Sequence, residues 1–401
     1  MFQTRIKTHH SAMAGSKEYL LGTRSLVEIA ENKSSKIVNN GTIYIHIPFC
    51  SKICSFCNMR RSLSTPYKEY AGLIVEEIKE YGKLEYVKSM TFDAVYFGGG
   101  TPTTLATSDL KNILRALKET FTFTEDAEFT IETTVSELTE DKIAMFYEEG
   151  VNRFSVGIQT FHNEGRKLLG RVGSGEEAFL KLKSLKDKGF KTISMDLIYN
   201  YPNQTLEMLK EDLDRIIELD LDGFSMYSLI NMKETKIGDA GDSKLDEEMF
   251  HFICEYMEKA GYRFLELTKM VKKDEYKYIM NRHKGADTLP LGAGAGGSIN
   301  GLAIMNPIDR KEYENSILNF SNRMGMYFNE GYKEVVKFKG DIQTLSLPQN
   351  ESLYKDKEGY LSLLHKLIKE DMVVKADKGY KLTTKGVFWG NSLSRELSSL
   401  T

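Results

Sequence analysis

The sequence predicts an α/β protein: a partial (β/α)6 TIM-type barrel carrying a small C-terminal α+β or winged-helix-like domain. Two observations predict it. Apolar strand-like runs alternate with amphipathic helical stretches six times between about residues 42 and 260, the pattern of a parallel sheet with helical crossovers. Residues with chemistry to offer recur at the ends of those runs, where α/β sheets and barrels build their sites. A chain of 401 residues holds one such barrel of about 250 residues with smaller additions. An open doubly wound sheet fits the same alternation and is the competing architecture.

Taken in order, residues 1–41 form an N-terminal extension. Its opening, MFQTRIKTHHSAMAG, has no hydrophobic h-region and so does not read as a secretory signal. His9, His10 and Met13 carry donors of the kind that bind a haem iron, against which stands plain docking or disorder of a terminal segment. The barrel spans 42–273. Its first strand, IYIHI (43–47), alternates Tyr44 and His46 on one face with Ile43, Ile45 and Ile47 on the other, and precedes a helix over 67–83. AVYFGGG (94–100) leads into SDLKNILRALKETF, apolar at helical spacing. EFTIETT (128–134) precedes a helix over 141–149, and RFSVGIQ (153–159) one over 164–169. TISMDLIYN (192–200) precedes one over 206–218, and GFSMYSLI (223–230) one over 246–260. Cys254 falls in that last helix and is most simply a core residue. A glycine-rich strand-loop extension covers 274–346, marked by LGAGAGGSINGLAIMNP (291–307). From 347 to 401 the chain reads helix, a hairpin at Lys378-Gly379, and a helix from Thr384.

Composition excludes several classes. The formal charge of −3 gives no global attraction to nucleic acid or anionic membrane. There is no run of about 18 apolar residues to cross a bilayer. Basic residues in the C-terminal part are balanced by acids, which argues against nucleic-acid binding there too. With four cysteines, three of them wanted as thiolates, a reducing cytoplasm is the expected compartment.

Those three, Cys50, Cys54 and Cys57, are spaced C-x3-C-x2-C just after the first strand. Converging thiolates suit a soft metal centre. A four-iron cluster normally takes four cysteines, so three leave one iron open to a substrate or cofactor. A zinc site using His46 as fourth ligand competes, although this is not a usual zinc spacing. A disulfide fits poorly, because three clustered thiols leave one unpaired. Gly98-Gly99-Gly100-Thr101-Pro102 closes the second strand, where absent Cβ atoms permit close backbone approach to a ligand, or simply a tight turn. Glu132, Gln159, Arg171 and Asp196 fall at or just after later strands, and together with the cysteines would line one opening. The run from Gly292 to Gly297 lacks the downstream helix and ribose-binding acid of a dinucleotide loop.

With these residues in view, the chain resembles the radical S-adenosylmethionine (SAM) superfamily, and within it the oxygen-independent coproporphyrinogen III dehydrogenase family. The resemblance runs from about Thr42 to the C-terminus and is carried by IYIHIPFCSKICSFC, VYFGGGTPT, IETT, SVGIQTF, LLGR, DLIYNYP, LGAGAGGSI and LTTKG. It implies a [4Fe–4S] cluster on Cys50, Cys54 and Cys57, whose open iron chelates SAM. An electron then splits SAM into methionine and a 5′-deoxyadenosyl radical. By motif match Tyr44, Gly99, Gly100, Thr101, Glu132, Gln159, Arg171 and Asp196 position this SAM. Gly292, Ala293 and Ala295 match part of the contact region of a second SAM.

Three branches of that family differ in outcome. The decarboxylating branch has a further cysteine two residues after the third, where this chain has Met59. The haem-chaperone branch carries HN-x-x-YW before its LG-x-GA segment, where this chain reads NRHKGADTLPLGAGAGG. The chain looks most similar to the third, the haem-degrading anaerobilin synthases. That implies a cytoplasmic class C-type methyltransferase acting on haem or a related tetrapyrrole and opening its ring. A flavodoxin or similar low-potential electron donor is implied, with no nucleic-acid or membrane partner.

Overall fold

The structure, a computed structural model, describes residues 2, 5–7, 17–31, 38–57, 59, 61, 62, 64–230, 243–347, 354–377 and 379–400. His9, His10, Met13 and Lys378 lie outside the described residues. The strands are β1 (Leu20–Ser25), β2 (Val38–Ile47), β3 (Met90–Gly99), β4 (Phe123–Thr134), β5 (Arg153–Gln159), β6 (Thr192–Tyr199), β7 (Gly223–Ser228) and β8 (Arg263–Glu266). They continue as β9 (Lys269–Val271), β10 (Thr288–Leu291), β11 (Gly296–Ile299), β12 (Leu302–Met305), β13 (Met324–Phe328), β14 (Ser346–Leu347), β15 (Val373–Ala376) and β16 (Gly379–Leu382).

Thirteen strands make one sheet, ordered β1-β13-β12-β11-β10-β2-β3-β4-β5-β6-β7-β9-β8. From β10 through β2 to β7 every pairing is parallel, and both flanks are antiparallel. The six consecutive strands β2–β7, each followed by helix, are the expected partial barrel, not a doubly wound sheet. Strand periodicity sorts the residues as read: Ile43, Ile45 and Ile47 are fully buried in the outer apolar layer. Tyr44 faces inward, stacked on Tyr96 and Tyr278 at 6.3 and 6.1 Å between ring centroids. The helix Tyr70–Lys83 buries Tyr70, Ile74, Ile78 and Tyr81, one apolar stripe at helical spacing, against that outer layer.

Two elements differ from expectation. After β5 the chain makes the short helix Asn163–Leu168 and then a longer one, Gly175–Lys188, absent from the sequence reading. Its signals are local: Ser174 and Glu177 form a capping box, and Gly189 ends it at φ +90°. The extension before residue 42 also contributes β1, which pairs with β13 and closes one edge of the sheet. A separate sheet, β14-β16-β15, with helices Lys357–Lys369, Thr384–Phe388 and Gly390–Ser398, follows.

Three polar clusters position the rest. Arg153, at the start of β5, donates to Asp274 through Nε and Nη2 at 2.9 and 2.8 Å, and Lys269 Nζ lies 3.2 Å from the same carboxylate. All three are buried at the N-terminal end of the barrel and form its floor. Burial opposes ionisation of Asp274, but Arg153 and Lys269 hold its carboxyl well below the usual range. Buried Glu77 accepts from Arg323 Nη1 at 2.6 Å, Tyr313 Oη at 2.6 Å, Asn306 Nδ2 at 2.8 Å and Gly292 N at 2.8 Å. Arg5 Nη1 and Lys7 Nζ both reach Asp246 at 3.0 Å, while Arg5 Nε donates to Phe388 O at 2.8 Å. Lys7 also donates to Ser228 Oγ at 2.7 Å, so this N-terminal stretch is held between the ends of β6 and β7 and the C-terminal helices.

Candidate active site

At the C-terminal end of β2 the chain turns through Phe49 into the cysteine loop. Cys50 N donates to Ser62 O at 3.0 Å and Ser62 N to Pro48 O at 2.6 Å, closing the loop at its base. Arg61 Nη2 donates to Cys57 O at 2.6 Å and Nη1 to Met59 O at 2.7 Å. On the far side Ser55 N and Oγ donate to Leu169 O and Leu168 O at 3.3 and 2.7 Å. Gly170 follows at φ +71°, where a Cβ would stand 3.1 Å from Ser55 N. The loop is therefore fixed to both β2 and the segment after β5.

Cys50 is buried and its Sγ lies 3.6 Å from Thr101 Oγ1; Cys54 and Cys57 are half-buried. Burial raises the Cys50 and Cys57 thiols above their ordinary value, with Thr101 and the Met59 backbone easing each in turn. Arg171 Nη1 donates to Cys54 Sγ at 3.2 Å, and Nη2 donates to Gly157 O. Gln159, with φ +67°, reaches over the same Gly157, where a Cβ would stand 3.2 Å from Arg171 Nη2 and 3.3 Å from Gln159 Nε2. Both Gln159 Oε1 and Arg171 Nε are buried without a hydrogen-bond partner.

The second strand meets the loop through its glycines. Gly100 N donates to Ile47 O and Thr101 N to Phe49 O, each at 2.8 Å. A Cβ at Gly100 would stand 2.6 Å from Phe49 O, and one at Gly98 2.8 Å from Glu132 Oε2. Glu132 faces this turn from β4, accepting from the Gly99 amide and Tyr96. Its carboxyl is pushed up to about 8, first by burial and then by the Asp196 charge. Asp196 is itself raised by burial, although Lys269 and Arg171 oppose the shift. Tyr44 Oη and His46 Nδ1 are 2.8 Å apart on the neighbouring strand.

One end of the barrel thus gathers Cys50, Cys54, Cys57, Tyr44, Gly99, Gly100, Thr101, Glu132, Gln159, Arg171 and Asp196. Gly292, Ala293 and Ala295 are adjacent but differently placed. A Cβ at Gly292 would stand 2.3 Å from His46 O. The amides of Gly292 and Ala293 already donate to Glu77 and to Tyr70 Oη at 2.8 and 2.9 Å, and Ala295 N donates to Gly292 O at 3.2 Å. These three form a buried turn that braces β2 from outside, with their N–H groups engaged by protein. Sequence reasoning missed Tyr227, which shares the interior face of β7 with Ser225, hydrogen-bonds to it, and is 38% exposed. Its two-residue spacing from Ser225 was the available signal.

The radical SAM superfamily model matches residues 44–216, from Tyr44 through the helix after β6. An anaerobilin synthase of Escherichia coli O157:H7 is 28% identical over 373 residues, covering 89% of this chain and 84% of the relative. The heme chaperone HemW of Lactococcus lactis is 31% identical over 274 residues, covering 66% of this chain and 71% of the relative. The chain belongs to the radical SAM superfamily. Within it stand the oxygen-independent coproporphyrinogen III oxidases as well: that of Salmonella typhimurium is 27% identical over 384 residues, 86% of this chain and 82% of the relative. The solved coproporphyrinogen III oxidase HemN of Escherichia coli superposes with a TM-score of 0.79 at 23% identity, over 98% of this chain and 96% of that one, and fixes the fold.

This radical SAM enzyme takes a [4Fe–4S] cluster and SAM. The residues present fit both. Cys50, Cys54 and Cys57 are free thiols on one loop held at both ends, the three sulfur donors that such a cluster would take. Unsatisfied Gln159 and Arg171 atoms, the buried Glu132 and Asp196 carboxyls whose ionisation a cation would favour, and a turn that only glycine permits make a cradle for a polar ligand carrying charges of both signs. Among the described residues no helix is long and apolar enough to cross a membrane.

Proposed function

We propose that this enzyme acts on haem, methylating the macrocycle and opening it without oxygen to release iron and a linear tetrapyrrole. The observation that carries this reading is Met59, 43% exposed beside the cysteine loop, where the decarboxylating branch of the resemblance carries a fourth cysteine. Support comes from the anaerobilin synthase of Escherichia coli, aligned over 89% of the chain. Cys50, Cys54 and Cys57 would hold the cluster. Bound together, cluster and SAM supply reductive cleavage of a sulfonium and hence hydrogen-atom abstraction. Arg171 donates to Cys54 and braces its loop. Glu132 and Asp196 would attract the cationic cofactor, while Tyr44, Gly99, Gly100, Thr101 and Gln159 bound the space it occupies. A second SAM, the methyl donor, would lie beside the first, with the Gly292, Ala293 and Ala295 turn shaping that wall by packing. A flavodoxin-like donor would deliver the electron.

Incubation of the reconstituted enzyme with haem, SAM and an anaerobic reductant is expected to bleach the Soret band and give a methylated open tetrapyrrole by mass spectrometry. Intact haem after many SAM cleavages overturns the proposal. Carbon dioxide release from coproporphyrinogen would instead mark the decarboxylase reading favoured by the HemN fold. Stoichiometric haem transferred unchanged would mark the chaperone reading favoured by the HemW of Lactococcus lactis.

A further inference from the structure

Beyond β10 the sheet leaves the barrel as the antiparallel ladder β11-β12-β13-β1, and its two faces differ. One face buries Ile299, Leu302 and Ile304 in the core with Leu26, Tyr313 and Ile317. On the other, the pairings Thr288 with Ser298, Ser298 with Ala303, and Ala303 with Met326 align those side chains, because directly opposed residues share a face. Thr288 in turn pairs with Thr42, two residues from Tyr44, so this face continues the interior wall of the barrel. Direction adds a second constraint. β10 runs parallel to β2, and two reversals later β12 runs the same way. Met305, ending β12, and Met324, beginning β13, therefore stand at the end of the sheet where Ile47 leads into the cysteine loop.

That end is apolar and open: Met305 is 58% exposed, Met324 53%, Met326 42% and Ile308 50%. Ile308 adjoins the site, since a Cβ at Gly294 would stand 3.4 Å from it and 3.6 Å from His46 Cδ2. Gly296, Ser298 and Ala303 keep the intervening surface flat. The cleft of about 620 Å³ at the same strand ends is a separate feature: it opens towards the helix Arg310–Leu318 on the other face, and beside Met305 and Met324 its wall carries Asn306, Glu312, Asn315, Asn319 and Arg323.

We propose that this shelf seats the apolar ring face of a planar iron tetrapyrrole, held on Met305, Met324, Met326 and Ile308 with a thioether facing the iron. The inference rests on the haem reading above. Continuity with the barrel wall presents the macrocycle to the reacting centre, which a protein partner on this face would not need. Unbranched, polarisable thioethers pack against a flat π-system, and sulfur is a known axial donor to haem iron. The test titrates haem into the anaerobic, cluster-loaded full chain with SAM omitted, so that nothing turns over. The pair Met305→Ala with Met326→Ala is expected to weaken haem about tenfold or more while cluster absorbance stays unchanged. The triple variant Met305→Leu, Met324→Leu and Met326→Leu keeps the apolar area, and is expected to hold affinity but alter the haem spectrum. Unchanged affinity in the alanine pair, or an unchanged spectrum in the leucine triple, overturns the proposal. Haem bound here by the wild type yet recovered intact after SAM turnover defeats the ring-opening reading alone. Ring opening undiminished in the alanine pair defeats the shelf alone.

Discussion

Glu132 sits where a carboxylate is costly to ionise, and its consequences run in two directions. Its carboxyl titrates near 8 in the folded protein against 4.5 ordinarily, so between those values the unfolded chain has released a proton that the folded one keeps. The ligand-free fold therefore loses stability as pH rises from about 4.5 towards about 8. Glu132→Gln is expected to flatten that slope, leaving the part due to Asp196, as read by Tm at pH 6 and pH 8. Cofactor binding runs the other way. A cationic SAM prefers the ionised carboxylate, so its affinity is expected to rise from pH 6 to pH 8 in equilibrium dialysis, and Glu132→Gln to bind more weakly with little pH dependence. Cys54→Ala is expected to abolish both cluster absorbance and activity. Arg171, which donates to that sulfur at 3.2 Å, would then lose a partner; the measurement is iron and sulfide per chain.

The barrel strands were legible because each carries a period of two and ends in residues with chemistry, as IYIHI and VYFGGG do. The cysteine loop was legible from the C-x3-C-x2-C spacing alone. What brings Arg171 to Cys54 and Glu132 to Gly99 was not, since the first pair meets through two loops joined at Ser55 and Leu169 and the second across neighbouring strands. The turn at Gly292 shows the difference most clearly. Its glycines suggested close backbone approach; the fold adds that the amides of Gly292 and Ala293 donate to Glu77 and Tyr70, partners more than two hundred residues away. Glu77 in the sequence is one acid in an amphipathic helix; in the fold it is wholly buried and balances Arg323. Glu77→Gln would leave Arg323 without its counter-charge and is expected to cost about 3–5 kcal/mol, visible as a large fall in denaturation midpoint. The helix Gly175–Lys188 was missed although its capping box and terminal glycine are local, because the short helix before it already filled the βα pattern.

Across the whole molecule, one sheet joins the barrel, the glycine-rich ladder and β1, so the candidate site and the exposed methionines stand on one hydrogen-bonded frame. The N-terminal stretch is fastened separately, through Arg5 and Lys7 to Asp246 at 3.0 Å and through Ile6 N to Ser392 Oγ at 3.0 Å. Asp246→Ala is expected to lower stability by about 1–3 kcal/mol and to speed tryptic cleavage after Arg5 and Lys7, as peptide mapping over time would show; unchanged cleavage would mean the remaining contacts suffice. The opposite end of the barrel is shut by the ionic cluster of Arg153, Asp274 and Lys269. A vessel stoppered at its foot is not loaded from below, so reagents and spent fragments that use its mouth share the same passage. Turnover then becomes a matter of queueing: debris from one cycle must vacate before fresh cargo is admitted, and accumulated methionine or nucleoside should slow the enzyme by blocking the entrance.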